Sequence, residues 1–400
     1  MLANKSRQSL IVLCGCCMLI LFFSTAGDAQ QKDLIDIINK NLKINTNKVL
    51  GHVRKRKIYY SFLPFGSSLP GGGTALITST TAGFYLGSRI PTSISSITFS
   101  PYITFKGRFG YTFKSNLWLK NNQWNIMGDT RFLFYPQYTW GLAGNTKEPD
   151  KLLLNYKYAR FYQTFLRAVR PDFLIGIGYH FDQHFDIDAA ADSSLERFTR
   201  YKYGTSATEN SLSSGLSLNL LYDQRRNPND PRPGWYANIV YRFNTSLLGS
   251  NRHWESLYLD TRRYISFSKS KQNMLAFWAF YWTTLNNQTP FLDLPSIGWD
   301  PYQQRSGRGF DQNRYRGKGL AYFETEYRRD ITEDGLLGFV LFANLNSVTE
   351  QQTYKYQYLH TAAGAGLRIK FNKRSRTNIA IDYGRSKDYS GLSLNLGETF

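Results

Sequence analysis

Along much of this chain every second residue is apolar and the residues between are small or polar. Phe173, Ile175, Ile177, Tyr179 and Phe181 share one side of such a segment, opposite Leu174, Gly176, Gly178 and His180. Leu212, Leu216, Leu218, Leu220 and Tyr222 stand against Ser213, Gly215, Ser217 and Asn219. Near the end, Ala363, Ala365, Leu367, Ile369 and Phe371 oppose Gly364, Gly366, Arg368 and Lys370, and Leu392, Leu394, Leu396 and Phe400 oppose Ser393, Asn395, Gly397 and Thr399. A period of two places alternate side chains on opposite faces of a strand. Counting these segments predicts roughly 16 strands, an even number as in outer-membrane barrels. They begin near residues 57, 74, 95, 107, 123, 152, 172, 211, 234, 254, 273, 316, 335, 357, 376 and 391. The connections alternate in character. Lys120–Gln123, Arg170–Asp172, Ser268–Asn273 and Asn372–Arg376 are tight and polar, whereas Gln137–Lys151, Asp182–Asn210, Asn286–Gly317 and Asn346–Lys355 are longer. The first set suits periplasmic turns and the second outer loops.

A soluble sandwich also has one dry face, so alternation alone leaves two architectures open. What lies opposite that face separates them. Arg368 and Lys370 share a side with glycines, as in a wet lumen or a lumen closed by a polar plug. The predicted fold class is all-β, a transmembrane antiparallel β-barrel over residues 57–400. Composition agrees, because aromatics make up 16% of the chain, and beyond the N-terminal segment no apolar run approaches the roughly 20 residues of a helical span. Lys and Arg number 49 against 29 Asp and Glu, a formal net charge of +20. These cations are spread along the chain, so the expected partners are outer-membrane lipid and lipopolysaccharide rather than nucleic acid.

The N-terminus sets the compartment. Lys5 and Arg7 precede an uncharged apolar core from Ile11 to Phe23, and Ser24-Thr25-Ala26 and Gly27-Asp28-Ala29 supply small residues for cleavage. Residues 1–29 are read as a secretory signal peptide, too short in its core for a spanning helix. Cys14, Cys16 and Cys17 all lie within it, so no disulfide or thiolate metal site is expected in the mature chain. Lipidation at Leu13-Cys14-Gly15-Cys16 would leave most of the apolar core on the wrong side. Residues 30–56 form a short periplasmic or luminal segment with an amphipathic stretch at Asp33–Leu42 and a basic run at Arg54–Lys57.

Two stretches carry a resemblance. Leu221-Tyr222-Asp223-Gln224-Arg225-Arg226-Asn227-Pro228, continuing through Pro231 to Gly234 and Trp235, resembles the periplasmic-turn signature of BamA/TamA-type barrels, the bacterial surface antigen superfamily. Arg308-Gly309-Phe310, followed by Arg314-Tyr315-Arg316-Gly317 and Glu326-Tyr327-Arg328, resembles that family's Arg-Gly-Phe/Tyr loop and the strand after it, and Gly364-x-Gly366-x-Arg368 fits as well. The match covers roughly residues 211–400 and puts the Arg308 loop between the eleventh and twelfth strands, the family's sixth outer loop. The resemblance implies that this loop folds into the lumen and that its arginine meets a carboxylate on the wall. The family's wall Asp on the thirteenth strand is here Asn344, so Glu324 and Glu326, on the lumen face of the twelfth strand, are candidate substitutes. The terminal Phe400 is similar to the aromatic residue that ends the last strand of outer-membrane barrels. Members that insert or translocate proteins carry periplasmic POTRA domains, and residues 30–56 are too few for one, so an assembly role would require a separate periplasmic partner to supply them.

Other motifs carry less. His180, Asp182, His184, Asp186 and Asp188 form the best apparent metal cluster, but on a strand the two histidines stand about 13 Å apart. Asp186-x-Asp188 with Asp192 lacks the glycine and the final glutamate of a calcium loop. Pro70-Gly71-Gly72-Gly73-Thr74 lacks the ending of a phosphate loop, and no nucleophile setting stands out. Catalytic, cofactor and metal residues are therefore expected to be none. Trp278, Phe280 and Trp282 are read as lipid-facing and girdle residues. By resemblance the function expected is assistance of protein or lipid insertion or passage at the outer membrane, by a weak seam near Lys57–Leu63 and Gly391–Phe400. The alternatives are a passive anion-favouring pore and a surface-exposed adhesin or structural barrel.

Overall fold

Strands that lie in lipid on one face and against a filled lumen on the other need only every second side chain to be apolar, and the backbone must find all its partners in neighbouring strands. The computed structural model satisfies the first condition throughout and the second everywhere but at the seam between its first and last strands. It describes residues 31–400 except 42–57, 70–72, 89, 190–199, 202, 206–209, 226, 228–230, 232, 268–272, 303–304 and 374. The signal-peptide reading of residues 1–29 and the basic run at 54–57 lie outside the described residues.

Among the described residues one α-helix, α1 (Leu34–Asn41), precedes seventeen strands: β1 (Ile58–Leu69), β2 (Gly73–Phe84), β3 (Ser95–Thr104), β4 (Phe109–Trp118), β5 (Trp124–Phe134), β6 (Gln137–Thr139), β7 (Leu152–Arg170), β8 (Phe173–Ala189), β9 (Ser211–Asp223), β10 (Gly234–Asn244), β11 (Trp254–Ser266), β12 (Asn273–Thr284), β13 (Gly319–Asp330), β14 (Leu337–Val348), β15 (His360–Asn372), β16 (Thr377–Ser386) and β17 (Ser390–Leu396). The short β6 continues β5, since both pair with β7, so the seventeen segments make sixteen staves of a nearly closed barrel. Each stave pairs antiparallel with the next. Among the described residues no ladder joins β1 to β17, although the two strands meet.

The alternation read from the sequence sorts the two faces. On β8, Ile175 and Ile177 are exposed toward lipid while Leu174, His180, Asp182 and His184 are buried in the lumen. β7 and β8 have 19 and 17 residues, well beyond the roughly 9–11 that cross a bilayer. Asp182–Ala189, expected as the start of an outer loop, is therefore strand. Beyond the lipid a hairpin needs no apolar face, and the hydrophobic signal fades while the pairing continues.

Trp278, Phe280 and Trp282 are a second correction. They face the lumen, where Trp278 is fully buried, edge-on to Tyr322 and tilted against Phe400. The other face of β12 carries Leu275, Phe277, Ala279 and Tyr281, so both faces are apolar and the pattern cannot tell inside from outside. Trp124 and Trp235, half-exposed at the inner ends of β5 and β10 beneath Arg167 and Arg263, are girdle residues. α1 lies at the inner rim, where the Lys32 N–H donates to the Asp334 carbonyl, the Lys373 N–H donates to Asp33 at 2.9 Å, and Lys373 pairs with Asp36 at 2.5 Å.

Candidate functional site: the sixth outer loop in the lumen

Residues 285–302 and 305–318, between β12 and β13, turn back into the barrel rather than outward. Phe291, Leu292, Leu294 and Trp299 are buried against Leu133, Leu154 and Tyr158 of the wall, and Ile297 is buried in the cluster around Trp278, so apolar burial seats the loop on the barrel wall. Polar clamps fix it on two walls.

On one wall the clamp centres on Arg308. Its guanidinium bonds Glu324 and Glu326 of β13, reaches Asp382 of β16 at 2.9 Å, and lies over the Phe342 ring at 3.7 Å from the centroid. The Asn344 side-chain amide donates to the Arg308 carbonyl at 2.9 Å. Asn344 thus holds the loop by its backbone, where a carboxylate was anticipated from resemblance, and the charge is supplied by Glu324, Glu326 and Asp382. Asp382 was not foreseen. It lies on the lumen face of β16, between outward Ile381 and Tyr383, so alternation would have exposed it. Gly309 has φ +89, and a Cβ there would stand 2.8 Å from Ala362 Cβ and 2.9 Å from the Arg385 nitrogen; a larger residue would meet β15 and β16 in a backbone conformation that side chains resist. Phe310 packs edge-on against Tyr315.

The carboxylates do not depend on Arg308 alone. Arg328 also pairs with Glu326 at 2.5 Å, and Arg368 pairs with Asp382 at 2.6 Å and with Glu398 at 2.8 Å. Glu324 also accepts from the Tyr322 hydroxyl and has a long contact from the Asn344 amide. Burial raises the cost of charge on Arg308, yet the three carboxylates outweigh it and hold its pKa well above the ordinary arginine value.

The opposite wall grips the start of the loop. Asp182 of β8 accepts from the Tyr158 and Tyr162 hydroxyls and pairs with Arg160 at 3.2 Å and Arg242 at 2.6 Å. Arg160 then donates to the Pro301 carbonyl at 2.9 Å, Lys114 donates to the Tyr302 carbonyl at 3.2 Å, and Ser213 donates to Asp293 at 2.6 Å. Burial, reinforced by the negative charge of Asp182, raises the Asp293 carboxyl to about 7. His180 and His184 stack on Tyr162 and Tyr158. Among the described residues no group of His, Cys, Asp or Glu is placed to hold a metal.

The C-terminus differs from the expectation that Phe400 continues the lipid face of the last strand. β17 ends at Leu396, Gly397 adopts φ +86, and the last three residues turn into the lumen. Phe400 is only 2% exposed, its ring 5.2 Å from Trp278, and its carbonyl accepts from Arg328 at 2.9 Å. Glu398 joins Arg368 and the Asn378 amide; burial would raise it, but Arg368 and Arg328 outweigh burial and hold it at about 2. Arg305 of the loop donates to the carbonyls of Glu398 at 2.5 Å and Leu396 at 3.2 Å. The inward loop and the edge strand at the seam are therefore tied directly. Sequence reasoning missed Arg305, which no motif marks. A cavity of about 240 Å³ remains below this junction, lined by Trp118, Asn125, Asp223, Arg262, Arg305 and Phe400 among others.

The turn signature is a separate structure at the inner rim. Arg225 makes a two-point contact with Asp223 at 2.9 and 3.0 Å and covers the Tyr236 ring at 3.8 Å. Asn227 reaches the Ser375 carbonyl in the β15–β16 turn at 2.7 Å, Pro231 is buried, and Gly234 opens β10. Pro228 lies outside the described residues. The motif braces turns against one another and does not touch Arg308.

Comparison with solved structures finds the same fold at low sequence identity. The chain matches BamA from Haemophilus ducreyi lacking POTRA domains 1-3 at 14% identity and TM-score 0.52, over 85% of this chain and 69% of that one. It matches CdiB from Acinetobacter baumannii at 13% and 0.55, over 86% and 60%, and CdiB from Escherichia coli at 9% and 0.55, over 86% and 62%. A comparison with curated proteins finds no match. The Omp85 superfamily domain matches residues 81–400. With a barrel of this order and that match over most of its length, the chain belongs to the Omp85 superfamily of outer-membrane barrels.

Proposed function

We propose that this barrel assists the insertion or passage of protein or lipid at the outer membrane, using the seam between β1 and β17 rather than an open lumen, and that a separate periplasmic polypeptide delivers its client. The observation that carries this reading is the conjunction of a lumen occupied by a loop clamped at Arg308 and Asp182 with a seam that has no ladder among the described residues. A strand pair without its ladder costs less to part than any other pair in the barrel, because its backbone groups are not yet satisfied by each other. Arg305 connects the two features, so withdrawal of the loop would remove two of the contacts that hold the end of β17. The reading is not that of an enzyme.

The test is reconstitution. Vesicles containing the full chain, offered an unfolded outer-membrane barrel held by a periplasmic chaperone, should yield protease-protected client faster than empty vesicles. A cysteine pair linking β1 to β17 should suppress the gain, and reduction should restore it. Equal client protection with and without the barrel would reject this function. The rival reading, a passive anion-favouring pore, requires an open lumen, which the clamped loop opposes.

A further inference from the structure

We propose that the outer rim over β4, β5, β7 and β8 holds a binding site for a phosphorylated lipid headgroup of the outer leaflet, with Arg108 and Lys157 as its cations. The inference does not depend on whether the barrel inserts, transports or neither. β5 has eleven residues, about the length that crosses the apolar core of a bilayer. Its last residue, Phe134, and the Lys157 paired with it therefore stand at the outer interface. Phe134, Lys157 and Phe185 are register partners across three strands, and all three belong to the lipid-facing alternation.

Two cations converge on one ring there. The Arg108 guanidinium, in the β3–β4 turn, is 6.0 Å from the Phe134 centroid, and the Lys157 ammonium is 5.4 Å from the same ring and 5.8 Å from Phe185. Phe109, Phe132 and Phe185 continue the belt at centroid spacings of 6.3 and 6.4 Å, and Ala159, facing Phe132, leaves a shallow floor between them. Aromatic rings hold a cation in place without neutralising it. Arg108 Nη1 is shielded from solvent and has no hydrogen-bond partner. A guanidinium fork matches phosphate oxygens, and an unpaired buried donor is costly, so the position calls for an anion.

The nearby carboxylate does not cancel the site. Asp186 pairs with Lys157 at 2.5 Å, but its side chain is the more exposed of the two, and Lys106 at the same turn adds a further cation. An ammonium has three donors, so Lys157 can serve Asp186 and a phosphate together. The wall below favours a lipid over a free anion. Ile103 and Phe109, paired just below the turn, are exposed and offer apolar surface to acyl chains beneath the headgroup, and Phe105, 87% exposed, adds to it at the turn itself.

The experiment is lipid retention by the full barrel in native mass spectrometry, after purification with lipid A, with dephosphorylated lipid A, or with lipid A plus millimolar inorganic phosphate. The proposal predicts that wild type retains lipid A, retains the dephosphorylated form about tenfold less, and is not stripped by phosphate. Arg108→Gln/Lys157→Gln should lose that preference, while Arg167→Gln, whose guanidinium covers Trp124 at the inner rim, should keep it. Heat-modifiable gel mobility checks that each variant is folded, and Arg108→Gln alone provides a milder second variant. Equal retention of both lipids, or a preference unchanged in the folded double variant, would overturn the site. Displacement by inorganic phosphate would assign it to a free anion and overturn the lipid.

Discussion

Replacing Arg308 by alanine removes the cation shared by Glu324, Glu326 and Asp382, and the structure indicates where the cost falls. Glu326 keeps Arg328, and Asp382 keeps Arg368. Glu324, fully buried, is left among the described residues with neutral partners, the Tyr322 hydroxyl and the Asn344 amide. Breaking a buried pair by removing one member costs about 3–5 kcal/mol, because the remaining charge stays desolvated. At about 1.4 kcal/mol per decade this is two to nearly four orders of magnitude in the population of loop-open barrels. Trypsin reads that population, since Arg305, Arg308, Arg314 and Arg316 lie in the loop and are buried or half-buried. Where reclosing outruns cleavage, the cleavage rate follows the open fraction. Cleavage within residues 303–318 of vesicle-embedded barrel should therefore rise at least a hundredfold in Arg308→Ala, on the order set by that cost. The Arg308→Ala/Glu324→Gln variant removes the stranded charge and should recover most of the loss. Unchanged cleavage in the single variant, or identical cleavage in single and double, would refute the assignment of the cost to Glu324.

Three further outcomes follow from the same geometry. Arg305→Gln removes two charge-assisted contacts to the C-terminal tail, so carboxypeptidase should release Phe400 about tenfold faster or more; no change would mean that the tail is held without the loop. Asp293 is raised from 3.8 to about 7, so its contribution to loop docking is fully present below about pH 4 and is lost as pH rises through 7. Loop cleavage should accordingly be greater at pH 8 than at pH 5.5, and Asp293→Asn should flatten that part of the profile. Gly309→Ala places a Cβ 2.8 Å from Ala362 at a positive φ and should cost more than about 1 kcal/mol of loop docking, seen as faster cleavage in a barrel that still runs as folded on a gel.

Much of the barrel was legible because lipid imposes a period of two on every wall. The predicted strand starts fall within three residues of the observed ones, as at Asn273 and Ser211, and the sixth outer loop lies where it was expected. The pattern failed where its physical cause was absent. On β12 the inward loop makes the lumen itself apolar, so Trp278 and Phe280 carried no sign of their face. Beyond the membrane, β8 continues on polar residues. At the C-terminus a single glycine at residue 397 reverses the direction of Phe400, which a strand period cannot register. The loop partners were half visible. Glu324 and Glu326 share the face of one strand and were found, whereas Asp382 and Arg305 come from elements brought close only by closure of the barrel.

The claim at the centre of this account is that the lumen is closed by the Arg308 loop. Single-channel conductance in a planar bilayer tests it most directly, comparing wild type with Arg308→Ala. Small, flickering currents in wild type that become large and steady in the variant are the predicted result. A large, stable, anion-selective current in wild type, unchanged by the substitution, would contradict it and make the barrel a pore.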